Sequence, residues 1–315
     1  MSEVPIVIAH RGASGYLPEH TLEAKALAFG LGADYLEQDV VATRDSQLVV
    51  LHDLYLDDVT DVAERFPGRH RDDGRHYVID FDLAELQQLA VSERRQARSR
   101  EARFPTRFPA ETAIFRIATL EQELALVAGL NRSMRRSVGI YPEIKHPRWH
   151  HAHGVDLSRL LLDTLNAHGY RDGGAAAFVQ CFDAAELRRV RDELGSELRL
   201  VQLVGAETEY ASLLSTEGLA HVARYADALG PSYAQLLTID GGPTRGRRQS
   251  ELVREARRAG LALHPYTFRR DELPDYVTSL DELLSLFISD VAIDGVFCDQ
   301  PDVAVRVRQR LTHKP

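Results

Sequence analysis

Short apolar runs recur along the chain, and between them apolar residues return every three or four positions. The segments PIVIAH (5–10), YLEQDVV (35–41), LVVLH (48–52), GIYPEIK (139–145), AFVQCF (177–182), RLVQLV (199–204), DALGP (227–231), LALHPYT (261–267) and DGVFC (294–298) read as strands. The stretches between most of them read as amphipathic helices with recognisable ends. Thr119 with Gln122 forms a capping box ahead of Leu120, Leu124 and Val127, and Asp183 with Glu186 repeats the device ahead of Leu187, Val190 and Leu194. Leu157, Leu160, Leu161 and Leu165 make a third stripe that stops at Gly169, and Pro301 suits the first position of the last helix.

Nine strands are one too many for an eight-stranded barrel. The six residues between Val41 and Leu48 resolve the surplus, because a link that short closes a hairpin and cannot hold the helical crossover that parallel neighbours need. LVVLH is therefore expected as an accessory antiparallel strand, and the other eight as a (β/α)8 TIM barrel. Residues 54–118 break the rhythm: they are rich in Arg and Asp and contain no Lys. They are expected to be an insertion capping one end of a barrel built from 1–53 and 119–315. Their Arg-rich stretch from Arg94 to Arg107 reads as a solvated face, since acids are interspersed with the bases. Trp149, His150, His151 and His153 likewise read as a solvated rim loop rather than a metal site.

Composition excludes several functions. A hydrophobic content of 44% with 27% charged residues is that of a globular chain, and no apolar run approaches the roughly 20 residues a membrane span requires. The net charge of −9 argues against wrapping nucleic acid, so an anionic ligand would need a local basic site. Cys181 and Cys298 lack metal-ligand spacing and are expected as free, buried thiols. The first strand starts too early for a signal peptide, which makes the protein cytoplasmic if the chain is complete and periplasmic if a leader preceded it.

The chemistry lies at the strand ends. Glu37 and Asp39 share one face of a strand, as do Glu143 and Lys145 on the next barrel strand. Three carboxylates meeting in low dielectric need a cation, and an all-oxygen set selects a hard ion such as Ca²⁺ or Mg²⁺. A structural salt network with Arg11 and Lys145 would use the same residues. Their convergence at the end of a barrel where active sites lie favours a site. His10 and His52, each ending a strand beside these acids, suit proton transfer. Arg11 and Lys145 suit a phosphate. Gln202 and Tyr266 also end barrel strands and are candidates to touch substrate. No Ser, Thr or Cys stands beside the histidines as a nucleophile, so the attacking oxygen is expected from water or, by preference, from a hydroxyl of the substrate.

The segments AHRGASGYLPEHTLEA, YLEQDVVATRDSQLVVLHD and YPEIKHP resemble the HRG, E-x-D, HD and E-x-K motifs of the glycerophosphodiester phosphodiesterase family. QCFDAAEL, LVQLV and LHPYTF extend the likeness to its large-insertion branch, typified by periplasmic enzymes. The resemblance implies a divalent metal, Ca²⁺ ahead of Mg²⁺, on Glu37, Asp39 and Glu143, with His10 and His52 as acid and base and Arg11 and Lys145 on the phosphate. It implies a small glycerophosphodiester substrate, such as glycerophosphocholine or glycerophosphoethanolamine, cleaved to sn-glycerol 3-phosphate and an alcohol. Many members carry Asn where His20 stands, and Tyr266 replaces a Trp common elsewhere. A phospholipase C-like or D-like lyase and a binding module without turnover are the rival readings. Whether the chain forms a homodimer is left open.

Overall fold

The computed structural model describes residues 4–97, 99–239 and 246–312. Eight parallel strands form the barrel: β1 (Ile6–Ala9), β2 (Tyr35–Ala42), β3 (Gly139–Ile144), β4 (Phe178–Cys181), β5 (Arg199–Val204), β6 (Ala228–Pro231), β7 (Ala262–Leu263) and β8 (Gly295–Cys298). Sequential strands are neighbours, and β1 pairs with β8, with Ile8 opposite Phe297 and Ala9 opposite Cys298. The seam between β7 and β8 is carried by the Asp294 N–H donating to the Leu263 carbonyl (3.0 Å) and the Phe297 N–H to the Pro265 carbonyl (3.1 Å). β7 is shorter than the expected 261–267 because Pro265 has no N–H for a ladder. Beyond it the chain keeps only single bridges, Ser232 to Tyr266 and Phe268 to Cys298.

The accessory strand Leu48–Val50 pairs antiparallel with β2, Val40 facing Val50, as the short link required. Helices cover the barrel: α1 (Leu22–Gly30), α2 (Leu120–Met134), α3 (Leu157–Ala167), α4 (Ala184–Asp192), α5 (Thr216–Val222), α6 (Glu251–Arg258), α7 (Leu280–Leu286) and α8 (Pro301–Thr312). The Thr119–Gln122 capping box is present, and Pro301 opens α8. Asp183 caps α4 by accepting from the backbone N–H of Ala185 and Glu186.

Side-chain alternation divides the apolar residues into two shells. Leu36, Val40, Leu200 and Val204 face the helices, whereas Ile8, Tyr141, Phe178, Val201 and Phe297 fill the barrel. Tyr141 stacks on Phe178 at 4.9 Å and meets Phe297 edge-on at 5.0 Å, and its hydroxyl is hydrogen-bonded to His264 Nδ1 at 2.7 Å. Burial pushes His264 down to about 3, so the ring is neutral. This aromatic layer is the floor on which the polar strand ends stand.

Residues 54–118 hold three single-turn helices, Val62–Arg65, Val78–Asp80 and Leu83–Leu86. Their apolar side chains, among them Leu56, Val62, Phe81 and Leu89, pack with Val41, Val49 and Leu51 of the hairpin into a separate buried cluster. The rim segment 147–152 is a short helix rather than a loop: Pro147 opens it, and His150 is buried with its Nε2 accepting from the Ala42 N–H. Cys181 and Cys298 are free and buried.

Candidate active site

Glu37 and Asp39 point into the barrel mouth because they lie two and four residues beyond inward-facing Tyr35 on β2. The β2–β3 register sets Asp39 opposite Glu143, and the β3–β4 register sets Glu143 opposite Gln180. Carboxylate oxygens of Glu37, Asp39 and Glu143 thereby come within 4.8 Å of one another, all three residues buried. Burial, then the Asp39 charge, raises the Glu37 carboxyl well above its usual range, and burial raises Glu143 to about 7. Asp39 stays well below its usual value: burial opposes this, but Lys145 and His20 outweigh it. Three acids that cannot all ionise, with Asp39 Oδ1 buried and without a hydrogen-bond partner, have the donor set and charge deficit of a hard-cation site.

Cationic groups flank the acids. Lys145 Nζ lies 2.8 Å from Glu143 Oε1 and 3.8 Å from Asp39 Oδ1. Burial disfavours this ammonium, yet Glu143 and Asp39 hold its pKa above the usual lysine range. Arg11 and Gly12 take consecutive left-handed conformations, φ 58° and 86°. This turn aims the Arg11 N–H at Glu37 Oε2 (2.7 Å), and places its guanidinium against Asp39 and Glu19. A Cβ at Gly12 would lie 2.9 Å from the Ala24 carbonyl carbon, so the glycine of HRG is required by packing as well as by φ. Gln180 Nε2 donates to Glu37 Oε1 (3.0 Å), and His20 Nε2 to Asp39 Oδ2 (2.7 Å). Burial drives His20 to about 3, so the ring is neutral and orients Asp39 without adding charge.

His10 and His52 stand at the edge of this cluster. His10 follows Ile8 by two residues on β1, and Asp299 follows Phe297 by two beyond β8. The β1–β8 register therefore brings them together, and His10 Nδ1 donates to Asp299 Oδ1 at 2.6 Å. Its Nε2 is 3.9 Å from Glu37 Oε2. His52 Nδ1 donates to Asp53 Oδ1 at 2.8 Å. Burial lowers both imidazoles, His52 to about 4. Two openings meet at His52. One is a cavity of about 260 Å³ shared with His10, Arg94 and Arg107; the other is a groove of about 730 Å³ past Lys145, Phe182 and Tyr210.

Gln202 does not join the site. It is wholly buried and faces the helices, its amide donating to the Phe182 and Leu203 carbonyls while its Oε1 accepts from the Tyr225 hydroxyl at 2.8 Å. Strand alternation explains this: Val201 and Leu203 are the inward residues of β5. Tyr266 is on the mouth side, half-buried edge-on to Phe182, with its hydroxyl donating to the Val204 carbonyl. The sequence offered no signal for Asp299, Arg94 or Arg107 as neighbours of the histidines. Arg94 and Arg107, expected on a solvated face, are instead buried against acids.

Comparison with known proteins agrees with this geometry. Residues 10–303 match the sequence profile of the glycerophosphoryl diester phosphodiesterase family. A glycerophosphodiester phosphodiesterase of Haemophilus influenzae is 41% identical over 97% of this chain and 90% of its own length. Among solved structures, one from Silicibacter pomeroyi DSS-3 superposes with a TM-score of 0.74 at 24% identity, covering 98% of this chain and 94% of that one. An Oleispira antarctica phosphodiesterase, solved with the product sn-glycerol-3-phosphate, has a TM-score of 0.66 at 21% identity over 97% of each chain. No helix among the described residues is long and apolar enough to cross a membrane.

Proposed function

Because the chain belongs to the glycerophosphodiester phosphodiesterase family and is an enzyme of that class, we propose that it cleaves small glycerophosphodiesters to sn-glycerol 3-phosphate and an alcohol at the Glu37–Asp39–Glu143 centre. The observation that carries this reading is the meeting of three buried carboxylates with two histidines and two cations at one barrel mouth. That sn-glycerol 3-phosphate is the product bound by the Oleispira protein supports the substrate class.

Arg11 and Lys145 hold the phosphate, each already oriented by a carboxylate. Glu37, Asp39 and Glu143 would hold one divalent ion, Ca²⁺ ahead of Mg²⁺, which when bound polarises a phosphoryl oxygen. His10 and His52 each direct Nδ1 to an aspartate, which leaves Nε2 to take or give the proton. Burial, with the nearby Arg11 charge, lowers both rings. The ring that serves as base accepts the nucleophile's proton on Nε2. The ring that serves as acid enters the reaction with a proton taken from solvent on Nε2 and gives it to the departing alcohol. The substrate's own 2-hydroxyl is the preferred nucleophile, since intramolecular attack carries the entropic advantage. The 730 Å³ groove gives the departing alcohol room without a demand for one head group, and half-buried Tyr266 stands near that path.

The test is to incubate metal-loaded and chelated protein with glycerophosphocholine and assay glycerol 3-phosphate. Metal-dependent release is expected. A stable cyclic phosphate as the end product would make the protein a lyase, and no turnover under either condition would leave a binding module.

A further inference from the structure

Each histidine of the site is held through its Nδ1 by an aspartate, and each of those aspartates is held in turn by an arginine from the insertion. In the first relay, Asp299 receives the His10 Nδ1 proton on Oδ1 and Arg107 Nη2 on Oδ2, both at 2.6 Å. In the second, Asp53 receives the His52 Nδ1 proton on Oδ1 at 2.8 Å and Arg94 Nη1 on Oδ2 at 2.7 Å. The two arginines are 13 residues apart in the chain, and their side chains are 13% and 5% exposed. We propose that the insertion completes the catalytic apparatus, with Arg94 and Arg107 as positioning residues that fix the orientation and tautomer of His52 and His10 through Asp53 and Asp299. The proposal rests on the reading that these histidines move protons in phosphodiester cleavage.

Anchoring the insertion to the barrel would explain buried ion pairs somewhere along the seam, but it would not select these two acids. Anchoring is already supplied by the remaining bonds of the same guanidiniums: Arg94 to Glu19 at 2.6 and 3.0 Å, and Arg107 to Asp271 at 2.6 Å and to the Ser14 carbonyl at 3.1 Å. Phe104 packs under the Arg107 guanidinium, 4.0 Å from ring centre to carbon, and restrains it from one face. A carboxylate whose second oxygen is bound by arginine keeps its first oxygen on the Nδ1 proton, and so fixes both the tautomer and the orientation of the ring. A planar, permanently charged fork does this where a lysine would not.

The test measures kcat and KM for Asp53→Asn, Asp299→Asn, Arg94→Ala and Arg107→Ala on glycerophosphocholine and on a glycerophosphodiester with a p-nitrophenol leaving group. Loss of such an outer partner costs about 10- to 100-fold. We expect that loss in kcat, with KM within about threefold, in all four variants. The p-nitrophenol substrate, whose leaving group needs no proton, should restore the rate for one relay only, the one serving the acid. Guanidinium ion in the assay should partly restore the two arginine variants, and Arg→Lys at either site should not match wild type. Losses that appear in KM, or that are equal for both leaving groups and unresponsive to guanidinium, would overturn the proposal. His10→Ala and His52→Ala separate the two levels: near-normal turnover in those variants would refute the proton-transfer reading itself. Inactive histidine variants beside unaffected relay variants would refute only the role of the insertion.

Discussion

Lys25 on α1 extends its ammonium into the layer between helix and barrel, where Nζ donates to Glu123 Oε2 at 2.6 Å and to the Glu37 carbonyl, with both side chains 1% exposed. Removing one member strands the other charge, so Lys25→Met should destabilise the protein by about 3–5 kcal/mol, and Lys25→Met with Glu123→Leu should regain most of it. Urea unfolding of the three proteins checks the pattern. Equal losses in the single and double variants would mean that packing, rather than charge, sets the cost. The same reasoning at the metal cluster gives the opposite sign. Adding Ca²⁺ or Mg²⁺ to stripped protein should raise the melting temperature, because the ion relieves the repulsion among Glu37, Asp39 and Glu143. Glu143→Gln should blunt that rise, and an unchanged rise would remove Glu143 from the ligand set. If Arg11 binds the phosphate as proposed, Arg11→Ala should act mainly on KM, measured on glycerophosphocholine.

Helix ends and strand register account for most of what could be read from the sequence. Thr119 accepts from the Gln122 N–H and Gln122 reciprocates to the Thr119 N–H, so Thr119→Ala should cost about 1 kcal/mol, measurable as a lower urea midpoint with kcat unchanged. Such caps are local and hence legible, as are the i, i+2 pairs Glu37–Asp39 and Glu143–Lys145, whose shared face follows from the pleat alone. The hairpin strand was legible because a six-residue link forbids a crossover. Gln202 was misplaced for a related reason: a strand end by itself does not say which face is inward, and Val201 and Leu203 decide it. Asp299 and the two relay arginines were illegible because their neighbours are made by closure of the barrel and docking of the insertion. Asp299 is 289 residues from His10 and Arg107 is 192 from Asp299, beyond the reach of any local pattern. The abundance of bases and acids in residues 54–118 described a solvated surface equally well.

Across the whole molecule, buried neutral histidines set the response to acid. Burial lowers His20 and His264 to about 3 and His52 and His150 to about 4, and it lowers His10 as well. Between about pH 4 and 6.5 the unfolded chain therefore binds more protons at these sites than the folded one, and stability rises with pH across that window. Glu143, raised to about 7 in stripped protein, works in the opposite sense between about pH 4.5 and 7. Metal-loaded protein should accordingly show a lower urea midpoint at pH 5 than at pH 7; an unchanged midpoint would mean that the histidines are not held neutral. The β1–β8 seam has a consequence in time. The strand bearing His10 leaves the ribosome well ahead of its partner strand, since Asp299 follows His10 by 289 residues. Until that strand arrives, β1 has one unpaired edge and His10 has no aspartate, although Glu37, Asp39, His52 and Glu143 have already emerged. A nascent chain can thus gather its acidic cluster early, and it gains a correctly held His10 only when β8 has emerged and the cylinder shuts.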